Sequence, residues 1–102
     1  MADIEKIAVY CIEKGVVLLE DCAHSFGATL NDQHSGTFSD GGVYSFYSTK
    51  AIPAGEGGIV LTEDDEIGSF IKKYVIYDRF DQQMDVGVNI RPSEIQALLI
   101  YS

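Results

Sequence analysis

Ile4, Ile7, Ala8, Cys11 and Ile12 recur at i, i+3, i+4, i+7 and i+8, and Gly15 separates that stripe from an unbroken apolar run, Val16-Val17-Leu18-Leu19, which stops at Glu20-Asp21. The first pattern predicts an amphipathic helix over 3–14, with Asp3 placed to cap it and Gly15 to end it. The second suits a strand covered on both faces, because a half-solvated strand would alternate apolar and polar residues. A helix that feeds directly into such a strand is half of a βαβ unit. The chain is therefore expected to build an α/β sheet.

The rest of the sequence fits that expectation. Residues 29–42 carry Asn31-Asp32, Gly36, Asp40 and Gly41-Gly42 and read as a loop. A strand resumes over Gly42 to Phe46. Pro53-Ala54-Gly55-Glu56 makes a turn, and Gly58 to Leu61 is a third short strand. Thr62 and the acids at 63–66 open a second helix with the stripe Ile67, Phe70, Ile71, Tyr74 and Val75. Residues 78–91 read as polar loop, and Pro92-Ser93-Glu94 begins a last helix that runs to the chain end. Tyr44, Phe46 and Tyr47 are read as packing residues. Three strands leave sheet edges that a complete fold would pair or cover, so the sequence reads as the middle of a larger domain.

Composition narrows the partners. With 102 residues there is room for one domain, and 46% hydrophobic against 23% charged residues reads as globular. The net charge of −9 argues against nucleic acid, which needs clustered Lys and Arg. No apolar run approaches the roughly 20 residues of a membrane span, and no basic-then-apolar leader is present, so the expected compartment is the cytoplasm. Cys11 and Cys22 lack close pairing and are read as reduced thiols. Together with His24 and His34 they match no zinc spacing, so no metal site is expected.

The chemistry concentrates after the strands. Open α/β sheets bind ligands at strand C-termini. There the sequence places Asp21 and His24 after the first strand, Ser45 and then Lys50 after the second, and Gly55-Glu56-Gly57-Gly58 beyond. A lysine in that place can form a Schiff base with an aldehyde cofactor. An aspartate can pair with a pyridinium nitrogen and a serine can hold phosphate, which together are the parts pyridoxal 5'-phosphate (PLP) requires. Each residue also has a plainer use: Asp21 as a loop cap, Ser45 as a backbone-satisfied hydroxyl, Asn89 and Arg91 as caps of the helix that follows.

The ordered motifs Glu20-Asp21-Cys22-Ala23-His24, Gly36-Thr37-Phe38-Ser39-Asp40, Ser45-Phe46 to Lys50, Gly55-Glu56-Gly57-Gly58 and Gly87-Val88-Asn89-Ile90-Arg91 resemble the DegT/DnrJ/EryC1/StrS family, the sugar aminotransferases of PLP fold type I. The resemblance implies a three-layer α/β/α fragment of the PLP-dependent transferase large domain, without the family's N-terminal segment and C-terminal small domain. It implies Lys50 as the Schiff-base lysine, Asp21 as partner of the pyridinium nitrogen, His24 against the cofactor ring and Ser45 as a phosphate ligand. Asn89 matches an asparagine that reaches the neighbouring subunit's site, which implies a homodimer. The implied reaction is transamination of a keto-sugar nucleotide, with glutamate or glutamine as amino donor. Where the family commonly has aromatic residues beside that asparagine, this chain has Val88 and Ile90, and Pro92 follows Arg91. A non-catalytic remnant of the family is the alternative reading, and the isolated 102 residues are expected to be inactive. Lys50 separates the chain from the family's sugar dehydratases, which replace that lysine with histidine.

Overall fold

The computed structural model of the chain describes residues 2–76 and 87–102. Along it run α1 (Ile4–Lys14), β1 (Leu19–Asp21), β2 (Thr29–Leu30), β3 (Gln33–His34), β4 (Gly41–Ser45), β5 (Gly58–Leu61), α2 (Asp65–Ile76) and α3 (Glu94–Tyr101). Of the loop expected over 78–91, residues 78–86 lie outside the described residues.

The first helix ends as its sequence dictates. Gly15 adopts φ +62°, and the N–H groups of Gly15 and Val16 donate to the carbonyls of Ile12 and Cys11 at 3.1 and 2.9 Å. These bonds satisfy the last turn, and glycine takes the left-handed conformation without steric cost. Asp3 makes no side-chain cap; its Oδ2 instead meets Lys6 Nζ at 2.6 Å, an exposed pair of small energetic weight.

The first strand lies further along the chain than its apolar run suggested. Leu19, Glu20 and Asp21 pair in parallel with Gly41, Gly42 and Val43, whereas Val16 and Val17 precede the ladder and are 56% and 70% exposed. Pairing sets the boundary. It begins where Asp40 clamps Leu18, its N–H donating to the Leu18 carbonyl at 3.1 Å and its Oδ2 accepting the Leu18 N–H at 2.8 Å. Among the described residues nothing covers Leu19, which is 66% exposed.

Within the expected loop 29–42 the chain forms a hairpin, with Thr29 opposite His34 and Leu30 opposite Gln33. Asn31 and Asp32 both take positive φ, 51° and 64°, the conformation of a two-residue type I′ turn. Asn31 Nδ2 donates to Glu5 Oε1 at 2.8 Å, which ties the hairpin to α1.

Strand β4 pairs antiparallel with β5, giving a mixed sheet in the order β1-β4-β5. Helix α2 is capped by Asp64, whose Oδ1 accepts the N–H groups of Glu66 and Ile67 at 2.8 and 3.0 Å. Thr62, expected at the helix start, turns back to the sheet and donates to the Asp40 carbonyl at 2.7 Å. Helix α3 opens with a capping box in which Ser93 and Gln96 satisfy each other's backbone N–H groups. Among the described residues no helix is long and apolar enough to cross a membrane.

The core sits on the face of β4 that presents Gly42, Tyr44 and, just beyond the strand, Phe46. Phe26 meets the Tyr44 and Phe46 rings edge-on at 5.5 and 5.8 Å between centroids. The Tyr44 hydroxyl donates to the Ser35 carbonyl. Tyr47, read as a packing residue, is instead exposed. Glu20 shares the buried face because it pairs with Gly42, and it is only 8% exposed. Its carboxylate accepts the Gly36 and Phe38 N–H groups, each at 2.8 Å, and the Ser39 hydroxyl at 2.9 Å. Gly36 thereby lies directly on Gly42, and a Cβ at position 42 would fall within 2.6 Å of the Gly36 carbonyl oxygen.

Two substitutions test this packing. Gly42→Ala is expected to cost about 1–3 kcal/mol by overpacking, and Glu20→Gln a similar ~1–3 kcal/mol by leaving donors unmatched. Both would lower the denaturant midpoint at unchanged m-value. A midpoint equal to that of the unmutated chain would contradict the contacts described.

Candidate functional site

Because β1 and β4 are parallel neighbours, the chain leaves both at the same end of the sheet. Beyond β1, the Cys22 N–H donates to the Val43 carbonyl at 2.8 Å and so extends the ladder by one residue. The Asp21 Oδ1 accepts the Ala23 N–H at 3.0 Å, and the Ser25 N–H donates to the Cys22 carbonyl at 3.1 Å. This turn carries His24. It is anchored below, where the Ser35 hydroxyl and the Ala28 N–H both donate to the Ser25 carbonyl, at 2.7 and 3.0 Å.

Beyond β4, the Phe46 N–H donates to the Gly57 carbonyl and the Ala54 N–H to the Phe46 carbonyl, each at 2.8 Å. Those two bonds close the neck of the loop 47–53. Inside it, the Lys50 N–H donates to the Tyr47 carbonyl at 2.9 Å, while Ser45 Oγ accepts the Tyr47 N–H at 3.3 Å. The loop thereby returns Lys50 toward β1. Its Nζ lies 2.9 Å from Nε2 of His24.

Strand parity assigns the remaining residues. Partners in a parallel ladder share a face, so Asp21 lies beside Val43, and Ser45 lies on that same face two residues on. Glu20, Tyr44 and Phe46 occupy the opposite, buried face. Asp21 is exposed and Ser45 half-buried, and among the described residues Asp21 Oδ2 accepts no hydrogen bond. The structure thus brings Lys50 and His24 into contact, with Asp21 and Ser45 at the ends of the same two strands. Asn89 is exposed on the segment before α3, where the Val88 N–H donates to the Tyr74 carbonyl at 3.0 Å. Among the described residues no hydrogen bond joins it to the other four.

Glu20 is the residue that reading the sequence passed over. It organises the 36–39 segment without belonging to the reactive group. The signal was present in its position between Leu19 and Asp21, since neighbours in a strand point to opposite faces.

A lysine amine held against an imidazole, in a chain that also carries the motifs around it, can be set against known proteins. The model of the DegT/DnrJ/EryC1/StrS aminotransferase family matches residues 1–102. The chain belongs to that family. It is 42% identical over 65 residues to GDP-perosamine synthase of Vibrio cholerae, a match covering 64% of this chain and 18% of the relative. It is 36% identical over 91 residues to dTDP-3-amino-3,4,6-trideoxy-alpha-D-glucose transaminase of Micromonospora megalomicea subsp. nigra, covering 85% of this chain and 24% of that protein. Among solved structures, the aminotransferase TlmJ of Streptoalloteichus hindustanus superposes with a TM-score of 0.89 at 27% identity, over 96% of this chain and 28% of TlmJ. The DegT-family segment described here therefore spans 18–28% of the length of these relatives. Its mixed α/β architecture is that of the aminotransferase structures it matches.

Asp21→Asn should leave the segment folded, because an asparagine side chain closes the same turn. The unfolding free energy is expected to stay within about 0.5 kcal/mol of the parent. A larger loss would mean that Asp21 serves the fold rather than the site.

Proposed function

We propose that this chain is the PLP-binding core of an aminotransferase that converts a keto-sugar nucleotide to an amino-sugar nucleotide, with glutamate or glutamine as amino donor. The observation that carries the reading is the Lys50 amine held 2.9 Å from His24 where β1 and β4 end together. The donor set fits the cofactor: a primary amine for its aldehyde, a carboxylate with one oxygen uncommitted among the described residues for its ring nitrogen, and a hydroxyl for its phosphate. The relatives named for nucleotide-sugar chemistry support the substrate class.

When bound, PLP supplies an electron sink that stabilises a carbanion on the substrate carbon. The residues of this chain would do the rest. Lys50 would supply the primary amine for the aldehyde and, when free, could serve as general base and acid for a substrate proton. Asp21 would favour a protonated pyridine nitrogen, because a nearby carboxylate favours the charged form. Ser45 would help hold the phosphate, and His24 would contact the ring. Asn89 would act across the interface of a homodimer, in the site of the neighbouring subunit. Because the chain spans only 18–28% of the length of the relatives it matches, this segment alone would not turn over. The compartment consistent with nucleotide-sugar substrates is the cytoplasm.

Borohydride reduction of the PLP-loaded complete subunit should fix the cofactor to a single peptide, the one containing Lys50. Lys50→Ala should abolish both the label and amino transfer, and Asp21→Asn should lower turnover by about a hundredfold or more, the scale of losing one essential acid–base partner. Normal transamination by the Lys50→Ala variant would overturn the assignment.

A further inference from the structure

Lys50 has a flexible four-carbon stem that loses rotamer entropy on being held in one place. In this structure it is held. Both partners of the contact sit on closed loops: His24 on the turn fixed through Ser25, and Lys50 inside the neck made by Phe46, Ala54 and Gly57. An ammonium has three N–H donors and no acceptor, so a charged Lys50 can only donate, and Nε2 of His24 must then be the bare nitrogen. The ring's own proton is left on Nδ1.

We infer that His24 is a positioning residue for the Lys50 amine, a dock that receives it whenever it is not covalently engaged. This rests on the aminotransferase reading for its consequence, though the contact itself does not. Substrate amine must take the place of the lysine, and the released amine must then stay within reach to move a proton. A freely rotating lysine would spend most of its time elsewhere. His24 accepts one N–H and confines the amine to the shared end of β1 and β4. No bond beyond this hydrogen bond forms or breaks in docking.

The test begins with the complete subunit free of cofactor, in which the His24 and His34 signals, the two histidines of these 102 residues, are assigned by single substitution. Nitrogen-15 NMR of the histidine-labelled chain at mildly alkaline pH, where ordinary imidazoles are neutral, reads the tautomer directly. His24 should be the Nδ1–H form, whereas an unconstrained neutral histidine prefers Nε2–H. Lys50→Met should return His24 to Nε2–H while His34, exposed on β3, keeps its signal. An Nε2–H His24 in the unmutated chain, or one indifferent to Lys50→Met, overturns the inference. In the PLP-loaded complete subunit, His24→Ala should lower kcat about tenfold with little change in substrate KM, the value of one hydrogen bond to a charged group. His24→Gln, whose amide oxygen can also accept the N–H, should restore kcat to within about threefold. Unchanged kcat in His24→Ala, or no rescue by glutamine, also counts against it. Failure of the aminotransferase reading would look different: the unmutated subunit itself would show no lysine label and no turnover.

Discussion

Burial of the Glu20 carboxylate is the constraint on which the rest of this structure depends. An isolated charge withdrawn from water costs several kcal/mol, and it survives only when its oxygens are matched by donors. Here the Gly36 and Phe38 N–H groups and the Ser39 hydroxyl supply three. To bring them in, the chain after the β2–β3 hairpin must run over β4 so closely that Gly36 rests on Gly42. The sheet face beneath is packed by the buried Tyr44 and Phe46, with the partly exposed Phe26 edge-on against both rings. The register of β1 against β4 follows, because Glu20 reaches its donors only from opposite Gly42.

That register also sets up the chemistry. Glu20 and Asp21 are adjacent, yet strand parity sends one carboxylate into the core and the other to the open face. The division repeats on β4, where Tyr44 and Phe46 pack inward and Ser45 looks the other way. One face is thus packed into the core while Asp21 and Ser45 lie on the other. Parallel pairing makes the two chains exit together, and the turn after β1 and the loop after β4 close on each other through His24 and Lys50. Asp40 reinforces the arrangement from the opposite end, clamping Leu18 and receiving the Thr62 hydroxyl on its carbonyl.

Much of this was legible from residues alone. The stripe of α1, the role of Gly15, the β5 segment and the start of α3 at Ser93 follow from periodicity and cap chemistry, which are local. The reading that Asp21 and Ser45 stand at strand ends, with Lys50 in the loop just beyond, matches their places in the fold. What could not be read locally was pairing. Val16 and Val17 have strand-forming side chains but no ladder partner, so β1 begins three residues later than its apolar run. The hairpin at 29–34 was hidden because its strands are two residues each, too short for alternation to register, although Asn31-Asp32 is a fair signal for the turn. Glu20 looked like one more acid in a chain with sixteen. Only the three-dimensional approach of residues 36–39 shows why it is there.

The central claim is that parallel pairing of β1 with β4 delivers Lys50 to His24. Nuclear Overhauser spectroscopy tests it most directly. A cross-peak between the His24 Hε1 proton and the Lys50 Hε protons is predicted, alongside contacts between Glu20 and Gly42 that report the register. The register contacts without the His24–Lys50 cross-peak would contradict the account, because the strands would then be paired as described and still fail to assemble the site.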